Sequence, residues 1–456
     1  MAKRGVCMKI TRRMAPHLLY RHRTLGFLRR VIPDNVWQRL AGEGSASRTR
    51  RVRWTPRFLI LVWLAIGLSG LSALTERFLE GYEWVTRLLP ARRRPGQSYQ
   101  GLLKATGRVG SHLLHRFWEI LRPTAPRRAG RAWTWYGWTV LAVDGSRFDA
   151  PRSRANQQAL PCAGRRKTGP QWWVTWLVHL PTLLVWDWRQ GPGRSSERRH
   201  LRQMLSSLPP AVLLLADAGY VGYDLMNELT LTGTEFLIRC AGNTRLLIEG
   251  TVSKIMRQGD VQRVYLWPRN KRGQPPLMLR LLILKEHGRR VYLLTNVMEP
   301  TRLSRQMASV LYRARWGVEL AFRSLKRTLD RYRVLSKKPH FGSMELAAYV
   351  LALALLMLAG AAAMGARVVR LCVAKALRCL RLMIEAMRWR ARAKPVAAAL
   401  RAAVRDAYER HRPKHARDWP RPKEHHPPGP PKFHTLTPKE IAAIHKLLRP
   451  FAAAIG

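Results

Sequence analysis

The chain has 456 residues, with 82 Lys and Arg against 27 Asp and Glu, a formal net charge of +55, and 47% hydrophobic residues. So much apolar matter excludes a disordered basic tail, and this length suits about two to four domains. Such a charge needs a polyanion as partner, nucleic acid being the commonest and an acidic membrane surface the alternative.

The first 132 residues read as helices separated by basic loops, and we assign them to an N-terminal helical, DNA-binding region. Val36–Leu40, the apolar run from Phe58, Glu76–Leu89 and Tyr99–Leu121 have helical spacing; Ala91–Gly96 and Arg122–Gly130 break it. From Trp133 the pattern turns to short β-type runs at Trp138–Val143, Trp172–Leu180 and Leu183–Trp188, then a helical stretch at Ser196–Leu208 and strands at Val212–Ala216 and Phe236–Cys240. Leu180–Leu183 reads as a tight hairpin. This is the order of a mixed α/β domain, whose first part we place at 133–241.

Residues 242–302 read as a β-rich insertion, with runs at Val261–Trp267, Leu277–Leu284 and Val291–Leu294. Helical pattern resumes at Leu303, so 303–411 should hold the second part of the core and the C-terminal helices. Within it, Leu346–Ala366 is uncharged and long enough to span a bilayer, as Phe58–Leu74 is uncharged but shorter. It has no aromatic belt at both ends and has Lys or Arg on both sides, so we expect a helix buried against the α/β sheet or the helix that bears Glu319, and no membrane partner. The tail, 412–456, opens with a Pro/His-rich stretch, Arg412–Phe433, that predicts an extended linker without a metal site. It ends in a short helix with a capping box at Thr437 and Glu440.

Cys7, Cys162, Cys240, Cys372 and Cys379 are odd in number and form no CxxC pair, which argues against a disulfide framework and a zinc site. The N-terminus is basic but lacks an uninterrupted apolar run, so it does not read as a secretory signal. A reducing, cytoplasmic and nucleoid-associated location is expected.

With so few acidic residues, their placement is informative. Asp144 in LAVDGSRF and Asp217 in VLLLADAGY each follow an apolar strand, and both are predicted at strand ends, where α/β sheets hold ligands. Two such carboxylates can hold divalent cations, although a turn or N-cap role accounts for either alone. A third element is a helix predicted from about Met307 to about Leu329. At about 100° per residue, Arg315, Glu319 and Lys326 all fall within about 60° of Tyr312, beside a core stripe of Leu311, Val318, Phe322, Leu325 and Leu329.

Asp144, Asp217 and Glu319, with the spacing Tyr312-x2-Arg315-x3-Glu319-x6-Lys326, resemble the DDE transposases of bacterial insertion sequences that bear the YREK signature. The likeness runs over roughly Trp138 to Arg333 and includes the Asp217–Tyr220 run, the Phe236–Arg239 strand and the β-rich insertion before the Glu-bearing helix. The resemblance implies a ribonuclease-H-like α/β mixed-sheet core interrupted by that insertion, flanked by an N-terminal helical domain and a helical C-terminal region. It also implies that the three carboxylates hold two Mg²⁺ ions, with Mn²⁺ as a substitute. Cleavage at the terminal inverted repeats and transfer into target DNA would be carried out by a homodimer in a paired-end complex. Tyr312, Arg315 and Lys326 would grip the DNA end. An aromatic residue of the insertion would support a flipped base near a hairpin intermediate; Trp267 is the candidate, with strand packing as its alternative, and Trp316 is a weaker one. The alternative functional reading is a catalytically silent or domesticated DNA-binding derivative.

Overall fold

The computed structural model describes residues 26–42, 53–87, 94–110, 112–162, 169–286, 289–388, 396–405 and 429–452. The expectations for Cys7 and the basic N-terminus, and for the Pro/His-rich stretch through 428, lie outside the described residues. The described residues fall into two compact units, one drawn from Met1–Ala129 with Ala347–Arg405, the other from Gly130–Leu346 with Asp406–Gly456.

The second unit is built on one mixed sheet. Its strands are β1 (Thr139–Asp149), β2 (Gln171–His179), β3 (Leu184–Pro192), β4 (Val212–Ala216), β5 (Glu235–Arg239), β6 (Arg245–Ile248), β7 (Asp260–Leu266), β8 (Leu277–Glu286), β9 (Arg289–Thr295) and β10 (Lys432–Thr435). They lie side by side in the order β10-β6-β7-β8-β9-β5-β4-β1-β2-β3. β1, β2 and β3 form an antiparallel meander, whereas β1, β4 and β5 run parallel. The runs Thr139–Val143 and Val212–Ala216 are buried throughout, as strands covered on both faces must be, and this explains why they are continuous apolar runs rather than alternating ones. The β2–β3 turn places Leu183 at φ 55. It is pinned by His179, whose Nδ1 meets Thr182 Oγ1 at 2.8 Å and whose Nε2 meets the Trp133 carbonyl at 2.8 Å, with the ring stacked on Trp133.

The strands within 242–302 join the core sheet: β9 pairs antiparallel with β5, so β9, β8, β7 and β6 extend it. β5 would otherwise offer an unpaired edge, and the apolar Leu293 and Leu294 fill it. β6 escaped the sequence reading because its apolar stretch is only three residues long. The expected linker also ends early: Lys432–Thr435 pairs parallel with β6, and Leu436 and Ile444 pack with Leu247, Tyr265 and Trp267. The capping box is formed as expected. Thr437 Oγ1 accepts from the Glu440 N–H at 3.3 Å, and Glu440 Oε2 accepts from the Thr437 N–H at 3.1 Å.

The helices are α1 (Asp34–Gly42), α2 (Pro56–Leu68), α3 (Leu74–Thr86), α4 (Tyr99–Val109), α5 (Leu113–Leu121), α6 (Ala125–Ala129), α7 (Arg154–Ala159), α8 (Glu197–Arg202), α9 (Tyr223–Leu231), α10 (Val252–Gln258), α11 (Arg305–Ala314), α12 (Gly317–Arg323), α13 (Pro339–Met364), α14 (Val373–Arg388), α15 (Val396–Ala402) and α16 (Pro438–Ala452). The helix expected over Tyr99–Leu121 is two, divided at Gly110, whose φ of 89° suits a residue without Cβ. The expected breaker Arg122–Gly130 is instead a 3₁₀ turn followed by α6.

α13 is long and apolar enough to cross a membrane, yet 89% of its apolar window is buried inside the protein. From Ala347 onward it belongs with the N-terminal helices, which correct the expected packing partner. A Cβ at Gly67 of α2 would lie 2.8 Å from both the Ala348 carbonyl oxygen and the Ala352 Cβ, so Gly67 sets how closely α2 and α13 approach. Arg77 of α3 donates to the Tyr349 hydroxyl at 2.8 Å.

Two outcomes follow from this packing. An exposed Gly→Ala in a helix ordinarily stabilises by about 1 kcal/mol, but Gly67→Ala should destabilise by about 1–3 kcal/mol, because a backbone carbonyl of α13 must move. Urea denaturation of the variant reads the sign directly. His179 is held neutral, its pKa lowered to about 4 by burial, against the Trp133 carbonyl that favours the charged form. The unfolded chain takes up that proton first, so stability should be full above about pH 6.5 and fall as the pH drops towards 4, by at most about 1.4 kcal/mol per pH unit from this group. Unfolding curves over that range should show a shallower slope in His179→Gln; an unchanged slope would remove His179 from the account.

Candidate active site

The two aspartates are brought level by strand register. β1 and β4 pair in parallel up to Ala142 and Leu215, and Asp144 and Asp217 each stand two residues beyond that pair. Side chains two apart share a face, so both carboxylates leave the sheet on one side at the same height. The expectation that both end their strands holds for Asp217 only. β1 continues to Asp149, with Asp144 opposite Trp176 of β2. Asp144 therefore lies mid-strand, at the point where β1 loses its parallel neighbour. Each aspartate spends one oxygen on the backbone: Asp144 Oδ1 accepts from the Gly145 N–H and Asp217 Oδ1 from the Gly219 N–H, both at 2.8 Å.

Glu319 comes from across β1. The single helix expected over 307–329 is instead α11, a joint at Arg315 and Trp316, α12, and a π-helical turn at Ser324–Thr328. The joint seats Gly317 against Leu180 and Leu183, where a Cβ would lie 3.1 and 3.2 Å from their methyl groups. The π-turn closes with Leu329 N–H donating to the Ser324 carbonyl. A uniform 100° count thus fails between Tyr312 and Lys326, although Glu319 still lies near enough for the charges of Asp144 and Asp217 to act on it. Burial raises the Glu319 pKa; Arg315 opposes, Asp144 adds to the rise, Arg323 opposes and Asp217 adds. The Asp144 pKa is likewise raised by burial, tempered by the Gly145 N–H and Arg315, and raised further by Asp217. Arg315 Nη2 lies 3.9 Å from Glu319 Oε1, with side chains 15% and 36% exposed, so this guanidinium stands among the carboxylates.

The sequence reading missed a fourth carboxylate. Glu197 opens α8, whose N-cap Ser196 accepts from the Arg199 N–H. Burial lifts its pKa to about 7; the Tyr220 hydroxyl opposes, the charges of Asp144 and Asp217 add, and Arg147 opposes. Nothing in SSERRH marks it, since a Glu in a first helical turn is ordinary capping chemistry.

The remaining candidates divide. Tyr312 is buried, with the Arg315 guanidinium 5.7 Å from its ring centre. Lys326 donates to Ser146 Oγ and to the Arg147 carbonyl, both at 2.7 Å, and lies 4.6 Å over the Phe148 ring. Burial lowers its pKa and Asp149 opposes. Its ammonium is committed to β1 rather than displayed to a phosphate. Trp267 is a packing residue: it is 6% exposed, its Nε1–H points at the carbonyls of Lys271 and Gln274, and the Arg272 guanidinium covers its ring at 4.2 Å. Trp316, at the joint, is 54% exposed.

An all-oxygen donor set under mutual repulsion suits hard divalent cations. Among the described residues, no three His, Cys, Asp or Glu side chains are gathered at ligand distance around one point, so the carboxylates form an open array. Cys162, Cys240, Cys372 and Cys379 are free thiols.

Residues 135–356 match the family model described as the transposase DDE domain, a span that contains all four carboxylates. The chain is 27% identical over 336 residues to the transposase InsG of insertion sequence element IS4 from Escherichia coli (strain K12), covering 70% of this chain and 73% of that one. It is also similar to a cryo-EM structure of the piggyBac transposase synaptic complex with hairpin DNA, with 14% identity, a TM-score of 0.39, and coverage of 91% of this chain and 90% of that one. On the match to the transposase DDE domain over 135–356 and the likeness to that transposase, the protein is a DNA transposase, a nuclease and transesterase of the DDE type.

Proposed function

We propose that the protein cuts at the terminal inverted repeats of an insertion sequence and joins the freed ends to target DNA, with Asp144, Asp217 and Glu319 as ligands of two Mg²⁺ ions, for which Mn²⁺ substitutes. The observation that carries this is the register that sets Asp144 level with Asp217, with Glu319 facing them over β1. The strand order β3-β2-β1-β4-β5, with its antiparallel meander and two parallel strands, supports a ribonuclease-H-like core.

Two divalent ions supply charge stabilisation to the attacking and leaving oxygens of phosphodiester cleavage. Asp144 and Asp217 hold their positions through the backbone N–H groups they accept from. Arg315 is placed to meet a phosphate oxygen, since its guanidinium already lies at the carboxylates. Lys326 acts one step removed: by tying the π-turn to Ser146 and Arg147, it fixes the helix that bears Glu319 against the strand that bears Asp144. The exposed Trp316, rather than Trp267, is the ring free to stack on an unpaired base. The N-terminal helices and the excess of Arg and Lys supply binding to DNA ends in a homodimeric paired-end complex, in the cytoplasm at the nucleoid. Against a catalytically silent derivative stands the presence of all three signature carboxylates, near enough to act on one another's charge.

Asp144→Asn, Asp217→Asn and Glu319→Gln should each abolish metal-dependent nicking of DNA carrying the element's ends while leaving end binding largely intact. Binding itself should weaken steeply with salt, log K falling by about 0.9 per phosphate contact per decade. Cleavage at the wild-type level by any of the three variants would refute that residue's role.

The signature helix offers a sharper comparison. Arg315→Ala should slow cleavage by about ten- to a hundredfold, the worth of a lost charge-assisted contact, with little change in thermal stability. Lys326→Ala should slow cleavage and also lower the melting temperature, because its two hydrogen bonds are internal. Arg327→Ala removes an exposed charge and should change only salt-dependent affinity. Equal, modest losses in all three would reduce the helix to a generic basic face.

A further inference from the structure

We propose that Glu197 is a fourth carboxylate of the catalytic metal site, facing the same divalent cations as Asp144 and Asp217. The inference rests on the metal-dependent reading above and goes beyond its three signature acids.

The first support is a space kept for it. A Cβ at Gly145 would lie 2.6 Å from Glu197 Oε1 and 2.7 Å from Trp173 Nε1. Gly145 is an extended strand residue paired with Thr175 and is not among the positive-φ glycines, so its backbone does not call for glycine. What calls for it is the Glu197 carboxylate together with the Trp173 ring, which lie against the β1 backbone next to Asp144, on the face opposite the Asp144 side chain. The Trp173 Nε1–H is buried and has no hydrogen-bond partner among the described residues.

The second support is the direction in which the carboxylate is drawn. Its charged neighbours are Asp144 and Asp217, which add to the rise that burial causes, and one base, Arg147, which opposes it. The adjoining Arg198 is spent elsewhere, its Nε–H donating to the Gly219 carbonyl at 2.7 Å, and Arg147 lies over the Trp173 ring. Gathering partly buried like charges is costly unless cations join them. With the Arg315 guanidinium counted, four carboxylates leave two divalent cations one excess positive charge, which the scissile phosphate meets, whereas three leave two. A solvated first-turn Glu stabilising its own helix would face outward; this one lies against β1, where the charges of Asp144 and Asp217 act on it.

The test uses the full-length protein without DNA, titrated with MnCl₂ by calorimetry, alongside the Mg²⁺ dependence of end nicking. Glu197→Gln keeps the shape and removes the charge. We expect Mn²⁺ binding weakened about tenfold or more, or a fall from two bound ions to one. A matching rise in the Mg²⁺ needed for half-maximal nicking should accompany it, with end binding in EDTA unchanged. A wild-type Mn²⁺ isotherm in Glu197→Gln overturns the proposal. Asp144→Asn is the reference: if it loses Mn²⁺ and Glu197→Gln does not, only the role of Glu197 fails, whereas wild-type binding by Asp144→Asn sinks the metal reading beneath it. Should Glu197→Gln fail to fold, Glu197→Asp, which keeps the charge on a shorter arm, gives the same readouts, and an unchanged isotherm there counts equally against the assignment.

Discussion

The parallel pairing of β1 with β4 is the constraint on which the site depends. It fixes Asp144 and Asp217 at one height, two residues past their last paired neighbours. A slip of one residue would send one of the two carboxylates to the opposite face of the sheet. The register is in turn held by burial, since Val140–Val143 and Leu213–Ala216 are fully enclosed and have no alternative face to show. The apolar core thus supplies energy enough to hold like charges together, and the chemistry sits where that energy is concentrated.

Much of this was legible in the sequence, and for identifiable reasons. Asp144 and Asp217 stood out because each terminates or interrupts a continuous apolar run, and such runs mark covered parallel strands. Glu319 stood out because acidic residues are scarce in the chain. The capping box at Thr437 was legible because both of its hydrogen bonds are local. Glu197 was not legible, because its significance depends on contact with Gly145, fifty-two positions earlier, across two hairpin strands. β6 and β10 were missed for the related reason that a four-residue strand carries little pattern of its own; each becomes a strand because a partner edge is waiting. The joint at Arg315 and Trp316 was hidden because helical periodicity persists through a kink.

The distribution of charge has a consequence for how substrate is held. A chain with an excess of 55 positive charges holds a centre in which carboxylates are pushed towards their neutral forms by burial and by one another. The basic surface attracts DNA of any sequence, at long range and with strong salt dependence. The acidic centre repels the phosphate backbone unless cations intervene. DNA can therefore be held widely but approached for cleavage only where the centre is neutralised, and Arg315, standing among the carboxylates, is the protein's own fixed contribution to that neutralisation.

The helix that carries Glu319 shows that a sequence signature need not be a list of groups that touch substrate. Tyr, Arg, Glu and Lys at fixed spacing suggest one face presented to DNA, yet these four side chains do three different things. Glu319 and Arg315 stand at the carboxylates. Tyr312 is buried beneath Arg315 and limits where that guanidinium can rest. Lys326 turns back onto β1, and it can do so because the π-turn changes the angle at which residue 326 leaves the helix. An uninterrupted α-helix would carry the same four residues in the same spacing and point Lys326 elsewhere. The extra residue in that turn therefore converts a spacing along the chain into a brace between the two elements that hold Asp144 and Glu319. The placing of those two carboxylates is then set by a half-buried ammonium and a strand, not by the flexibility of a helix end.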